Sequence, residues 1–62
     1  MKISKQKVEI QQARNGLSSA QVAKSCNTSV QVISRVLKKG TCNPVTVGKI
    51  ARALGVDPAD II

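Results

Sequence analysis

The segment Gly16–Gly40 constrains the fold most strongly, because it predicts two short helices joined by a tight corner. Ser18 and Gln21 have the spacing of a capping box, which indicates the start of the first helix. Asn27 follows that helix, and asparagine tolerates the left-handed backbone conformation that a corner needs. One residue of the pair Thr28-Ser29 then caps the second helix. The segment is therefore expected to fold as a helix-corner-helix unit.

The second helix of this unit has one apolar side and one polar side. Ile33, Val36 and Leu37 follow helical spacing, and we expect them to face the core. The opposite side carries no carboxylate and consists of Val30, Gln31, Ser34, Arg35 and Lys38. An amide, a guanidinium and an ammonium on one free helix face are what reading base edges in DNA requires. The alternative is a helical bundle whose corner has only a structural role.

The chain before this unit predicts a first helix from about Ser4 to Arg14. Its apolar residues Ile10, Ala13 and Leu17 recur at spacings near one turn, and Val8 flanks them. Asn15-Gly16 is a helix stop, because both residues tolerate a left-handed conformation. Residues 1–4 are expected to form a flexible arm.

The chain after the unit predicts a fourth helix and a last single turn. The fourth helix spans Val45 to Leu54, and an apolar stripe on it consists of Val47, Ile50, Ala51 and Leu54. Asp57-Pro58 has the pattern of a cap followed by proline at the first helical position. The prediction is a single all-α domain over residues 1–62, compact and built from five helices.

The charge of the chain favours a polyanionic partner. The 62 residues include ten Lys or Arg and three acids, which gives a formal charge of +7. The acids Glu9, Asp57 and Asp60 all lie outside residues 14–56. Phe, Tyr and Trp are absent, which removes the base stacking that single-strand and RNA-loop binders commonly use. Double-stranded DNA is the partner that these features favour.

The residue types present argue against a metal site or an enzyme. The chain has two cysteines and no histidine, which cannot complete a tetrahedral zinc site, and it has no nucleophile–base pair. We expect Cys26 to be a small core residue and assign no role to Cys42, and a disulfide between them stays an alternative. No cofactor and no small-molecule ligand is expected.

No part of the chain resembles a targeting or membrane segment. Residues 1–12 are polar without an apolar run, and no stretch approaches the length that spans a membrane. Two thiols without an obvious pairing suit a reducing compartment. The expected location is the cytoplasm or nucleoid of a bacterium, without contact to a membrane.

The chain also resembles the Cro/C1-type (lambda-repressor-like, XRE) helix-turn-helix family of phage repressors and their bacterial relatives. The resemblance covers about residues 8–62, and its most specific part is Thr46–Val56. It implies a five-helix domain that binds operator DNA as a two-fold dimer. The residues that carry it are Leu17-Ser18, Val22-Ala23, Ser29, Ile33–Val36, Gly40, Asn43-Pro44, Thr46 and Lys49–Val56.

The resemblance implies a role for individual residues. Arg35 would bridge O6 and N7 of guanine, Gln31 would bridge N6 and N7 of adenine, and Val30 would pack on a thymine methyl group. The implied base contacts are Val30, Gln31, Ser34 and Arg35. The implied phosphate contacts are Ser18, Ser19, Ser29, Val32, Lys38, Lys39, Thr41 and Asn43. The implied dimer interface consists of Val45, Val56, Ala59, Ile61 and Ile62.

Several of these roles have structural alternatives. Val30 would then be only a half-buried helix start, Arg35 would bind phosphate, and Ile61 and Ile62 would fill the core. The chain also departs from the family pattern at Asn27, which stands where glycine is common, and at Thr28 and Leu37. The departures predict a looser corner, and they leave Leu37 as a candidate contact with another chain if it is partly exposed.

The functional prediction is a sequence-specific DNA-binding transcription regulator, a repressor that acts as a homodimer on an operator. The alternative is an antitoxin-like interaction module that neutralises a partner protein and binds DNA secondarily. We rank it second because such modules usually add a partner-binding tail, for which we expect no residues here. A toxin-like gene beside this one would reverse the ranking.

Overall fold

The computed structural model describes all 62 residues and contains four α-helices followed by one 3₁₀ helix. The all-α prediction is confirmed, and the fifth predicted helix is the short 3₁₀ helix. The elements are α1 (Lys5–Asn15), α2 (Ser19–Ser25), α3 (Val30–Lys39), α4 (Pro44–Leu54) and the 3₁₀ helix (Pro58–Ile61). None of the helices has the length and hydrophobicity of a membrane-spanning segment.

The start of α2 is fixed by the predicted capping box. The Ser18 hydroxyl accepts a hydrogen bond from the Gln21 backbone N–H over 3.2 Å. In return, Oε1 of Gln21 accepts from the Ser18 backbone N–H over 2.8 Å. Two backbone donors that the helix itself leaves unpaired are thereby satisfied, and the direction of α2 is set by local chemistry.

The corner between α2 and α3 also follows the sequence prediction. Asn27 has φ = 57° and is the one non-glycine residue with positive φ. Ser29 is the cap of α3, since its hydroxyl accepts from the Val32 N–H over 3.3 Å. The Thr28 N–H donates to the carbonyl oxygen of Ala23 over 2.9 Å. The corner therefore keeps these backbone groups hydrogen-bonded despite its departures from the family pattern.

The core consists of twelve buried residues drawn from every element. Helix α4 contributes the four predicted residues, and Cys26 lies in the core as predicted. Leu37 is 9% exposed, so its side chain belongs to the core rather than to a contact with another chain. The core residues are Ile3, Val8, Val22, Ala23, Cys26, Ile33, Leu37, Val47, Ile50, Ala51, Leu54 and Ile61.

The predicted apolar stripe of α1 is wrong. Val8 is fully buried, whereas Ile10 is 45% exposed and Ala13 is exposed; Leu17, beyond the helix, packs partly against the core. Two residues along a helix correspond to a rotation of about 200°, so Val8 and Ile10 cannot both face the core. Helix α1 is mostly polar and buries only Val8. Its few apolar residues were therefore too weak a pattern to predict which side of α1 faces the core.

The N-terminal residues are docked on the domain, which corrects the expectation of a flexible arm. The Ile3 N–H donates to the carbonyl oxygen of Gly40 over 3.0 Å, and the Cys42 N–H donates to that of Met1 over 2.9 Å. Ile3 itself is only 5% exposed. The arm was not predictable from local sequence because its partner lies about forty positions along the chain.

Candidate nucleic-acid interface

Helix α3 presents a polar stripe to solvent. Gln31, Ser34, Arg35 and Lys38 are exposed, and their spacing of three or four residues places them on one side of the helix. Ile33, on the other side, is 2% exposed and anchors α3 in the core. The stripe is therefore held outward by a helix whose other face packs on the core through Ile33 and Leu37, with Val36 half-buried beside them.

Two valines flank this polar stripe on opposite sides. Val30 is 41% exposed, so the side chain offers an apolar surface beside Gln31. Val32 lines a shallow cavity of about 190 Å³ that also contacts Thr46 and Lys49. The four residues predicted to contact bases are thus all on the solvent side of α3, and they lie together.

Val32 is the predicted phosphate contact that the structure does not support. Its side chain has no polar atom, and its backbone N–H already donates to the Ser29 hydroxyl over 3.3 Å. No donor is therefore left on Val32 for a phosphate oxygen, and we remove it from the set. Its partner Ser29 is exposed and keeps its own hydroxyl proton for donation.

The start of α2 places two predicted phosphate contacts next to each other. Ser18 is exposed, whereas Ser19 is half-buried. Nε2 of Gln12 donates to the Ser19 hydroxyl oxygen and to the carbonyl oxygen of Leu17, both over 3.4 Å. Gln12 was not among the predicted site residues, because no helical spacing relates it to a partner in the next helix. Gln12 orients the Ser19 hydroxyl from α1.

The end of α3 and the following loop carry the remaining predicted phosphate contacts. Lys38 and Lys39 occupy the last turn, where cations suit the helix dipole, and both are exposed. Thr41 is exposed in the loop. Asn43 caps α4 through Oδ1, which accepts from the Val45 N–H over 2.8 Å, so its Nδ2 amide remains available as a donor.

The acidic residues are all occupied away from α2 and α3. Glu9 pairs with Lys5 on α1 at 4.0 Å, which is the one ion pair in the chain. Asp57 and Asp60 form a capping box at the 3₁₀ helix. The cations between residues 14 and 56 consequently have no carboxylate partner, and they are Arg14, Lys24, Arg35, Lys38, Lys39, Lys49 and Arg52. Unpaired cations in this number favour a polyanionic partner.

The two cysteines are both free, so the disulfide alternative is wrong. Burial raises the pKa of the Cys26 thiol, an effect that nearby Lys49 opposes. Burial likewise raises the pKa of Cys42, against the opposing charge of the N-terminal ammonium. Both side chains are therefore neutral thiols at pH 7. No group of three His, Cys, Asp or Glu side chains lies together in a way that would hold a metal ion.

The residues predicted for a dimer interface differ widely in exposure. Val45 is 64% exposed and Ile62 is 45% exposed, and Ala59 is also exposed. Val56 is half-buried and packs against the core. Ile61 is fully buried, which corrects its assignment: the 3₁₀ helix turns this side chain inward, so it has no surface for a second chain.

One comparison with known proteins identifies the family, and it does so over most of the chain. A family model described as helix-turn-helix matches residues 10–61, which include the second half of α1, the whole of α2, α3 and α4, and the 3₁₀ helix. Neither the curated proteins nor the solved structures gave a match. The chain therefore belongs to the Cro/C1-type helix-turn-helix family, whose members are DNA-binding proteins of the transcription-regulator type.

Proposed function

We propose that this protein is a sequence-specific repressor that binds double-stranded operator DNA as a homodimer. The observation that carries the proposal is the exposed stripe of α3, where Gln31, Ser34 and Arg35 lie side by side with no carboxylate nearby. The buried anchor Ile33 holds this stripe outward. A helix presented in this way fits the major groove of B-DNA.

Base recognition would come from the stripe and from its apolar neighbour. The Arg35 guanidinium has the geometry to bridge O6 and N7 of guanine, and the Gln31 amide matches N6 and N7 of adenine. The exposed Val30 side chain suits a thymine methyl group. Ser34 lies between these residues and is compatible with several bases.

Phosphate contacts would lie on both sides of the stripe and fix how α3 sits in the groove. One group consists of the helix-start serines Ser18, Ser19 and Ser29. The other consists of Lys38, Lys39, Thr41 and Asn43, which follow one another at the end of α3. Contacts of this kind supply much of the affinity, and they make binding strongly dependent on salt.

A second copy of the chain would bind through the exposed apolar residues near α4 and the 3₁₀ helix. Val45, in the first turn of α4, and Ile62, after the 3₁₀ helix, are the most exposed large apolar side chains there, and the exposed Ala59 and half-buried Val56 lie between them along the chain. Two copies would place two α3 helices about one DNA turn apart, so that each reads one half of an inverted repeat. Occupancy of such an operator would block transcription.

Selection of bound duplexes from a random-sequence library tests the proposal. The full chain is mixed with the library near physiological salt, and bound DNA is amplified and sequenced over several rounds. We expect an enriched pseudo-palindrome whose half-site centres are about 10 base pairs apart. Salt-sensitive binding without any enriched sequence would contradict the proposal and indicate an architectural DNA-binding protein.

A further inference from the structure

The N-terminal residues form a short two-stranded ribbon with the segment that follows α3. We call residues 1–3 and 40–42 together the N-terminal ribbon. An antiparallel bridge joins Lys2 to Thr41, and hydrogen bonds of 3.0 and 2.9 Å lie on either side of it. The family match begins at residue 10, so family membership assigns no role to the first strand of this ribbon.

The hydrogen-bond pattern determines which side chains of the ribbon face solvent. Both hydrogen bonds join the neighbours of Lys2 and Thr41 rather than these residues themselves. Lys2 and Thr41 are therefore a non-hydrogen-bonded antiparallel pair, with their side chains close together on the same face. Successive side chains alternate between the faces of a strand, so Ile3 and Cys42 point the other way.

Burial of the four residues agrees with this alternation. Ile3 is 5% exposed, and Cys42 is half-buried against the core. Lys2 and Thr41 are both exposed. The ribbon thus uses Ile3 as an anchor and holds the backbone of Lys2 beside Thr41, which is one of the proposed phosphate contacts.

The charge around Lys2 suits an anion. Lys2 forms no ion pair, since Lys5–Glu9 is the one such pair in the chain. Neither strand of the ribbon contains a carboxylate, and the last turn of α3 adds Lys38 and Lys39 to the same region of the chain. An unpaired ammonium on a backbone fixed beside a DNA-binding loop is well placed to bind a phosphate oxygen.

We propose that Lys2 is a further phosphate contact and that the N-terminal ribbon is part of the DNA-binding surface. The proposal rests on the proposed function, because it extends the group of contacts that begins at Lys38. Because Ile3 already anchors the backbone, Lys2 loses less conformational entropy when it binds a phosphate. A disordered arm would lose all of this entropy on binding.

Duplex binding by the full chain over a series of salt concentrations tests this proposal. The variant Lys2→Gln removes one charge from the ribbon. The matched control Lys7→Gln removes the same charge from α1, where Nζ of Lys7 donates to the carbonyl oxygen of Ile62 over 2.8 Å. Lys2→Arg retains the charge, and Lys2→Thr removes it with a residue that favours extended backbone.

We expect Lys2→Gln and Lys2→Thr to weaken binding by a similar factor on selected and unrelated duplexes. The slope of log K against log salt should become shallower by about two for both variants, since the proposed dimer carries two copies of Lys2 and each contact contributes about one. Lys2→Arg and Lys7→Gln should keep the slope of the unchanged protein. The three Lys2 variants should unfold at the same temperature as the unchanged protein, since the Lys2 side chain is exposed and forms no ion pair. Lys7→Gln should unfold at a slightly lower temperature, because it removes the hydrogen bond to Ile62.

Four results would overturn the proposal. One is a slope for Lys2→Gln equal to that of the unchanged protein. Another is an equal reduction of the slope by Lys7→Gln, which would reveal only an effect of net charge. A loss restricted to one DNA sequence would make Lys2 a base contact. An unchanged protein that binds no duplex at all would overturn the proposed function as well, whereas the other results leave that function standing.

Discussion

The side-chain amide of Asn15 donates a hydrogen bond to the carbonyl oxygen of Leu54 over 2.9 Å, and so joins the end of α1 to the end of α4. The same nitrogen donates to the carbonyl oxygen of Gln11 over 3.0 Å. Asn15 is the last residue of α1, and Gly16 takes the left-handed conformation that ends the helix. Asn15 is therefore a contact between two helices as well as part of a helix stop.

Replacing Asn15 by alanine should lower the free energy of unfolding by about 1 kcal/mol, because the partly buried Leu54 carbonyl loses its side-chain donor. The matched control is Gln31→Ala, which removes an exposed amide that has no hydrogen bond within the chain and should change stability by less than ~0.5 kcal/mol. Denaturant unfolding followed by circular dichroism measures both. Equal stabilities of the two variants would show that the Asn15 contact contributes nothing.

Val8 and Ile10 should respond very differently to truncation. Val8→Ala should destabilise the protein by about 2 kcal/mol, since Val8 is fully buried between α1 and the rest of the core. Ile10→Ala should cost less than ~0.5 kcal/mol, because Ile10 is 45% exposed. Thermal and denaturant unfolding of the two variants would reveal the rotation of α1. The reverse order would mean that the helix faces the core through Ile10.

The features that were predictable from sequence depend on neighbours within a few residues. The capping box of Ser18 and Gln21, the left-handed Asn27 and the cap of α3 all follow from local hydrogen-bonding chemistry. The polar stripe of α3 was predictable for a related reason, since Ile33 and Leu37 define the buried side of an amphipathic helix. These local features include the centre of the candidate site.

The features that were not predictable depend on contacts between distant parts of the chain. The Lys2–Thr41 bridge and the Asn15–Leu54 hydrogen bond each join residues about forty positions apart. Ile61 was assigned to a dimer surface because the family resemblance implies one there, yet the turn of the 3₁₀ helix buries its side chain. Periodicity within one helix contains no information on such contacts.

Val45→Glu should prevent formation of the proposed homodimer without unfolding the chain. Val45 is 64% exposed, so a carboxylate at this position is solvated in the single chain. In a dimer that uses this surface, the carboxylate would be buried and would face the same carboxylate of the second copy. Analytical ultracentrifugation and the stoichiometry on an inverted-repeat duplex measure the effect. Ile10→Glu, on an exposed position of α1, is the matched control and should stay dimeric. If Val45→Glu were as dimeric as this control, Val45 would lie outside the interface.

The central claim is that α3 reads base edges, and the base preference of Arg35→Ala tests it most directly. Affinity is measured for the selected duplex and for every single base-pair change in one half-site, with Lys38→Ala as the phosphate-contact control. Arg35→Ala should lose about 1–3 kcal/mol of binding free energy per half-site and become indifferent at one base pair of each half-site, whereas Lys38→Ala should weaken all duplexes alike. An equal loss on every duplex for Arg35→Ala would instead make Arg35 a phosphate contact and contradict the claim.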